Sequence, residues 1–407
     1  EGPARGVNNS LASCSFAAEE YCFPSEFSLE AAARECPAYP AEEEREHEEN
    51  CLYEDAIFEA HVRNHIEQHD ASRPLFLFWA LHVVHAPLSV PKRYLDMYAG
   101  LATDDWRRQR YLAMVRYLDD AVSSIVAVLQ AKKMYDDTLI VFTSDNGGPI
   151  YRRGSVGASN FPLKGGKASN WEGGIRVNAF VAGGFVPKAV RGRKLGGLMT
   201  VWDWYTTFAG IAGVDPFDER AHAAGLPPVD GVNLWPYLTG ETPTSPRAEI
   251  ALGSSSCVQQ SPGCFNEWGQ APSKTIVSGF IQDERPQGGK LWKLLAGIVP
   301  MAGWQGPAFP NASTMAWAAD NSTLDCKPAC LFELGSDPTE HVDLAADEPQ
   351  RVQSMLVALQ EHGRTAFSPD RGQPDLKGAC AAAMERYGGF WGPWRHLEGI
   401  SMSEMVI

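Results

Sequence analysis

Two adjacent side chains with oxygen donors, Asp145 and Asn146, directly follow the apolar run 139–142. An unbroken, partly β-branched run of this kind is typical of a strand buried on both faces of a parallel sheet. Ligands of open α/β sheets collect beyond the carboxyl ends of strands, and a carboxylate beside an amide oxygen suits Ca²⁺ or Mg²⁺. The sequence Asp-Asn-Gly-Gly is also typical of a plain turn, so the metal hypothesis depends on other residues.

A histidine follows a second apolar run. Residues 74–81 predict another strand buried on both faces, and His85 stands shortly after it. If the two strands are parallel neighbours, their carboxyl ends bring His85 close to Asp145 and Asn146, where an imidazole can protonate a leaving oxygen. His82 lies closer to the strand and is the better candidate for a purely structural role.

Two lysines, Lys164 and Lys167, stand among the glycines of residues 162–176. An ammonium group offers a point charge and three donors to the oxygens of a phosphate or sulfate, so the pattern predicts a mobile positive loop that closes on an anion. Alternatively, the glycines serve backbone geometry alone and the lysines are solvated. Combined with Asp145, Asn146 and His85, the loop points to hydrolysis of an ester of a strong oxyacid.

The chain of 407 residues is long enough for two or three domains, and its net charge of −15 argues against nucleic-acid binding. No apolar run reaches the length of a membrane span. The nine cysteines fit no zinc template. Close cysteine pairs and the sequons at Asn8, Asn311 and Asn321 indicate a disulfide-bonded glycoprotein of the secretory pathway, lysosomal or extracellular.

The periodicity predicts a doubly wound α/β sheet followed by a smaller domain. Helices are expected at 53–69, 104–133, 199–211 and 352–362, and a short strand at 179–182. The composition changes near Gly240. We therefore predict a catalytic α/β domain over 1–240 and an α+β domain over 241–407, with antiparallel strands at 275–281 and 290–296.

With these motifs in order, the chain resembles the sulfatase family, in particular its arylsulfatase B-like (N-acetylgalactosamine-4-sulfatase-like) group. The resemblance runs from Tyr53 to Trp394 and is carried by residues 80–91, 142–148, 162–176, 230–235, 330–340 and 389–394. It implies an alkaline-phosphatase-like, mostly parallel sheet and a sulfated glycan or aryl sulfate as substrate. It also implies that Asp145 and Asn146 bind calcium, that His85 contacts the sulfate ester and that Lys167 holds the sulfate.

The chain departs from the family pattern at the nucleophile. The family attacks sulfur with a formylglycine made from the Cys of Cys-x-Pro-Ser-Arg, and that motif is absent. Cys22-Phe-Pro-Ser25 imitates it, but Glu26 replaces the arginine. Two acidic pairs, at 104–105 and 119–120, imitate the family's metal-binding pair but fall on a predicted helix.

We therefore expect a sulfuric ester hydrolase whose first strands and nucleophile segment are missing, so that the piece is inactive alone and binds its cation weakly. The alternatives are a non-catalytic sulfated-glycan-binding protein on the same scaffold and a related metal-dependent phosphodiesterase. The sequence makes no prediction of oligomeric state.

Overall fold

The computed structural model describes residues 53–86, 88–101, 106–149, 157–256, 276–305, 323–365 and 376–386. The predictions on Cys22, on Asp104–Asp105 and on the three sequons lie outside these ranges. The helices are α1 (Glu54–Gln68), α2 (Lys92–Asp96), α3 (Trp106–Ala131), α4 (Glu172–Ile175), α5 (Asp203–Ile211), α6 (Glu219–Ala223), α7 (Trp235–Thr239), α8 (Pro349–Arg364) and α9 (Leu376–Arg386). The strands are β1 (Ile140–Thr143), β2 (Ala179–Ala182), β3 (Glu249–Ser256), β4 (Ile276–Asp283), β5 (Leu291–Pro300) and β6 (Thr323–Glu333).

The chain divides into two compact units. The larger unit, residues 58–88 and 94–367, contains both sheets and all of the candidate site residues. In the smaller unit, residues 1–57, 89–93 and 368–407, the described part includes α9 and the first turn of α1. The predicted domain boundary near residue 240 stays a prediction. No helix in the described part of the chain is long and apolar enough to cross a bilayer.

Strands β1 and β2 form a two-stranded antiparallel sheet with helices on both faces. Ile140 packs beside the contact between α1 and α3, which buries Ile66 and Leu129. On the other face, Val141 packs against a cluster that includes Trp204 of α5. The apolar run of β1 thus lies between two layers of helices, which is the layered arrangement of an α/β domain.

The prediction for residues 74–81 is wrong. Within the described residues this segment forms no strand, and Phe76 and Phe78 are 74% and 83% exposed. The mostly parallel sheet is likewise not seen among the described strands, which all pair antiparallel. Apolar composition does not decide burial, which depends on the neighbours that cover a side chain. The ring of Phe76 meets that of Phe208 in α5 edge-on at 5.7 Å and still stays largely exposed.

Strands β3 to β6 form a four-stranded antiparallel sheet in chain order, which confirms the antiparallel strands expected after residue 240. Side chains alternate between its faces because the side-chain period of a strand is two. Leu294 of β5 packs with Met355 of α8, whereas its neighbour Leu295 packs with Trp171. Lys293, which directly precedes these two leucines, is fully buried, a charged residue in an otherwise apolar stretch of β5.

Strand β6 also carries a disulfide bond between Cys326 and Cys330. The two residues are buried in the same cluster as Trp171. This bond confirms the expectation that the chain carries disulfides, which was made without assigning particular pairs.

Candidate functional site

The turn after β1 presents oxygen atoms at the end of the strand. The carboxylate of Asp145 accepts a hydrogen bond from the backbone N–H of Asn146 (2.7 Å), and the amide nitrogen of Asn146 donates to the carbonyl oxygen of Gly147 (2.9 Å). The second carboxylate oxygen of Asp145 and the amide oxygen of Asn146 make no hydrogen bond within the described residues. The turn therefore keeps two oxygen donors available for a ligand.

Glycine is required where this turn meets the lysine loop, residues 162–176. A Cβ atom at Gly147 would lie 1.7 Å from the carbonyl oxygen of Gly173, and one at Gly173 would lie 2.3 Å from that of Gly165. The backbone N–H of Gly147 donates to Gly174 (2.9 Å), and that of Lys167 donates to Gly148 (3.1 Å). Glycine is therefore needed at these positions because the backbones of the turn and the loop lie too close together for a Cβ atom.

Asn160 connects the same two segments, and the sequence analysis missed it. Its amide nitrogen donates to the carbonyl oxygens of Gly148 (2.7 Å) and Gly165 (3.0 Å), while its oxygen accepts from the N–H of Gly148 (2.9 Å). One amide side chain therefore ties the turn after β1 to the lysine loop. The sequence offered no signal for it beyond the tolerance of asparagine in loops.

The side chains of His85 and Lys167 come together, although the two residues are far apart in sequence. The Nε2 atom of His85 lies 3.4 Å from the Nζ atom of Lys167, and its Nδ1 atom lies 2.6 Å from the carbonyl oxygen of Ala86. His85 is exposed and Lys167 is half-buried. An imidazole and an ammonium group thus share one accessible position, and the backbone N–H of Lys167 is bonded to Gly148, which follows Asp145 and Asn146 in the turn after β1.

The other candidate lysine and histidine lie elsewhere. Lys164 is buried, with its ammonium group 3.9 Å from the ring centroid of Trp171, so the interpretation of two solvated or ligand-holding lysines is wrong for this one. The ring of His82 packs edge-on against Phe58 at 5.6 Å, consistent with a structural residue. The lysine loop is bonded to Gly148 on one side and, through Gly165, to Gly303 on the other, which corrects the expectation of a loosely held loop.

The acidic pair at Asp119 and Asp120 lies within α3, as predicted. Asp120 forms an ion pair with Arg116 at 2.6 Å, and Asp119 lies 4.0 Å from the same guanidinium group. Both carboxylates are therefore part of a charged helix surface and not of the site.

The donor atoms of the site fit a hard cation in kind but not in number. In the described residues, no group of three or more His, Cys, Asp or Glu side chains is placed to hold a metal ion. Asp145 and Asn146 provide two oxygens where Ca²⁺ takes about six to eight. Two oxygens amount to only part of a coordination shell for such a cation.

A Gly173→Ala variant tests the close packing of the site. We expect a loss of about 1–3 kcal/mol in the free energy of unfolding, because the new methyl group meets backbone oxygens that cannot move independently. Thermal unfolding of the full-length protein measures the loss. Gly196→Ala is the matched control because a Cβ there meets nothing within 4 Å. Equal melting temperatures for the two variants would contradict the packing described here.

Residues 23–214 match the family model described as Sulfatase. The chain is 30% identical to arylsulfatase J of Mus musculus over 354 residues, which cover 85% of this chain and 54% of that protein. It is 33% identical to N-acetylgalactosamine-6-sulfatase of Homo sapiens over 337 residues, covering 81% of this chain and 54% of the relative. The chain thus spans about half the length of these curated relatives.

Solved structures with similar folds include Ps i-CgsB in complex with k-i-k-neocarrahexaose. The TM-score is 0.58 at 23% identity, over 85% of this chain and 63% of that one. The PsFucS1 sulfatase from Pseudoalteromonas sp. matches with a TM-score of 0.50 at 21% identity, over 76% of this chain and 52% of that one. The fold is therefore the alkaline-phosphatase-like α/β fold of these proteins.

Proposed function

We propose that the full-length protein hydrolyses sulfuric esters of sugars or aryl alcohols, and the match of residues 23–214 to the family model described as Sulfatase supports this proposal. The observation that supports the proposal most directly is the 3.4 Å approach of the His85 Nε2 atom to the Lys167 Nζ atom. Two groups that can both be cationic, side by side at an accessible position, suit an anionic group that has several oxygens.

In the proposed mechanism, Lys167 binds the oxygens of the sulfuryl group and stabilises the charge that develops on them during transfer. His85 donates a proton to the oxygen of the leaving alcohol. An anion bound beside both groups offsets the repulsion that an imidazolium and an ammonium group would otherwise have at this distance.

The hydrogen bond of His85 to its neighbour gives the ring a defined orientation. If Nδ1 carries the proton that is donated to the carbonyl oxygen of Ala86, Nε2 is the atom that faces Lys167 and the substrate. A single ring nitrogen therefore exchanges protons at the reacting centre. The neighbouring carbonyl acts as the orienting group.

Asp145 and Asn146 would hold the cation, Ca²⁺ or alternatively Mg²⁺, which when bound polarises the sulfate ester. The remaining ligands belong to residues that we do not assign. We also assign no residue of this chain as the nucleophile, which the family makes as a formylglycine.

The name of one relative supports a substrate class for this protein. The human relative is named for a sulfated sugar, N-acetylgalactosamine 6-sulfate, and we propose a sulfated glycan as the natural substrate of this protein too. The disulfide in β6 and the sequons support a glycoprotein of the secretory pathway, either lysosomal or extracellular.

Turnover of an aryl sulfate and of the matching aryl phosphate by the full-length protein tests the proposal. We expect the sulfate to be cleaved with the larger kcat/KM. Faster cleavage of the phosphate would favour a phosphodiesterase. Binding of a sulfated oligosaccharide with no turnover of either ester would favour a non-catalytic glycan-binding protein.

An Asp145→Asn variant tests the cation site without an activity assay. We expect the affinity of the full-length protein for Ca²⁺, measured by isothermal titration calorimetry, to fall by on the order of tenfold or more, because a charged oxygen ligand is lost. Asp136→Asn is the matched control, since Asp136 is an exposed aspartate before β1. Unchanged affinity in the Asp145 variant would remove this residue from the site.

A further inference from the structure

We propose that four buried charged side chains, Lys164, Glu172, Lys293 and Glu340, act as positioning residues for Lys167. We call them the buried charge cluster. The inference rests on the proposed role of Lys167 in holding the sulfuryl group. It extends the site to β5 and to the turn after β6, which contribute no residue to the mechanism above.

The centre of the cluster is Lys293, on the face of β5 that packs towards the lysine loop. Its Nζ atom lies 2.9 Å from a carboxylate oxygen of Glu172 and 2.8 Å from one of Glu340. The other oxygen of Glu340 accepts a hydrogen bond from the backbone N–H of Glu172 (2.8 Å). Glu340 therefore contacts both the side chain of the sheet residue and the backbone of the loop.

Lys164 brings the second positive charge. Its ammonium group lies 3.9 Å from the ring centroid of Trp171 and 4.4 Å from that of Trp304, and it donates to the carbonyl oxygen of Glu340 at 3.4 Å. The cluster thus holds two ammonium groups and two carboxylates, each residue no more than 4% exposed. Burial is the main reason that the pKa of Lys164 lies below its usual value and that of Glu340 above it.

The cluster holds both ends of the segment that carries Lys167. Lys164 and Glu172 lie on either side of Lys167 in sequence, and the backbone N–H of Gly173 closes the segment by donating to the carbonyl oxygen of Lys164 (2.7 Å). A shift of Glu340 or Lys293 therefore moves the base of the loop. The ammonium group of Lys167, at the far side of that loop, moves with it.

The cost of this arrangement argues that it specifies geometry more than it adds stability. Removing four charges from water is unfavourable, and buried ion pairs often add no net stability. Three of the four non-glycine residues with positive φ in the described chain also belong to this region: Ala168 (69°), Met301 (58°) and Glu340 (57°). Each costs on the order of 1–3 kcal/mol. A region that tolerates these costs next to a ligand-holding lysine is typical of a preorganised site.

A double-mutant cycle in the full-length protein tests the proposal. Glu340→Gln keeps the shape of the side chain and removes its charge. We expect it to lower kcat/KM for an aryl sulfate by about 10²-fold through kcat, as a small displacement of a catalytic group does. In a Lys167→Ala background it should cause almost no further loss, because the residue it positions is gone.

Glu333→Gln is the matched control, since Glu333 is a buried carboxylate of β6 whose hydrogen bonds go to Gly335 and Ser336. It should change kcat by less than about twofold. Equal effects of the two glutamine variants on kcat, or a full additional loss from Glu340→Gln in the Lys167→Ala background, would overturn the proposal.

Two further measurements keep the test decisive. If Glu340→Gln does not fold, the double variant Lys293→Met with Glu340→Gln removes one charge of each sign and takes its place in the cycle.

If the wild type cleaves no aryl sulfate, the proposed function fails, and the same cycle is measured as affinity for inorganic sulfate. Weaker sulfate binding that depends on Lys167 then supports the positioning role. Sulfate binding that is unaffected by Glu340→Gln contradicts it.

Discussion

Replacing Lys167 with alanine in the full-length protein is expected to lower kcat/KM for an aryl sulfate by about 10²–10³-fold, the usual effect of removing one donor to a developing oxyanion. The loss should appear mainly in kcat, because the charge on the sulfuryl oxygens grows towards the transition state. Steady-state kinetics at saturating Ca²⁺ measure it. The physical reason is that only Lys167, of the two lysines in its loop, directs its ammonium group to His85.

Two variants make this measurement specific. Lys188→Ala removes an exposed lysine elsewhere in the same unit and should leave the kinetics unchanged. Lys167→Arg keeps the charge but changes the shape of the donor, so it should restore part of the lost rate. If Lys167→Ala and Lys188→Ala have the same kinetics, Lys167 does not bind the substrate.

Replacing Asp203 with asparagine is expected to lower the free energy of unfolding by about 3–5 kcal/mol, the usual cost of leaving one partner of a buried ion pair alone. Asp203 is fully buried at the start of α5, and Arg247 binds its two oxygens with its Nε and Nη2 atoms. Its carboxylate also accepts the backbone N–H groups of Thr200 (2.8 Å) and Val232 (2.9 Å). Chemical denaturation of the wild type and the variant at neutral pH measures the difference.

The ionisation of Asp203 also predicts how the stability of the protein depends on pH. Burial alone would raise the pKa of Asp203, but the hydrogen bonds from Arg247, Val232 and Thr200 together hold it below its usual value of 3.8. The stability that the carboxylate contributes is therefore present above pH 3.8 and is lost as the pH falls through the lower, folded-state pKa. As the pH falls through that range, the free energy of unfolding should decrease less in Asp203→Asn than in the wild type. In Asp347→Asn, a control at an exposed aspartate, it should decrease as much as in the wild type.

The helices and the antiparallel sheet follow from local patterns. Residues 104–133 have apolar side chains at helical spacing, and the structure has α3 at Trp106–Ala131. The strands predicted at 275–281 and 290–296 correspond to β4 and β5. Such patterns are readable because each depends on side chains a few positions apart on the same element. The sequence analysis also assigned His85 and Lys167 to one site. The pair of parallel strands that was to bring His85 close to Asp145 and Asn146 is not among the described elements.

The remaining features depend on contacts between distant segments. The composition of residues 74–81 could not show that Phe76 and Phe78 stay exposed, because burial requires a partner surface. Lys293 offers a usable signal in retrospect. A lysine flanked by Trp292 and Leu294 in a strand must find a buried partner, but the sequence does not say that Glu172 and Glu340 are the partners.

The backbone of the lysine loop forms hydrogen bonds on both sides, with Gly148 and with Gly303. A ligand therefore meets a loop whose conformation is held before the ligand arrives, and little ordering entropy is lost in binding. Under the proposed function, discrimination among sulfated molecules is then left to half-exposed side chains of the loop, such as Asn170, and not to a change in the loop's conformation.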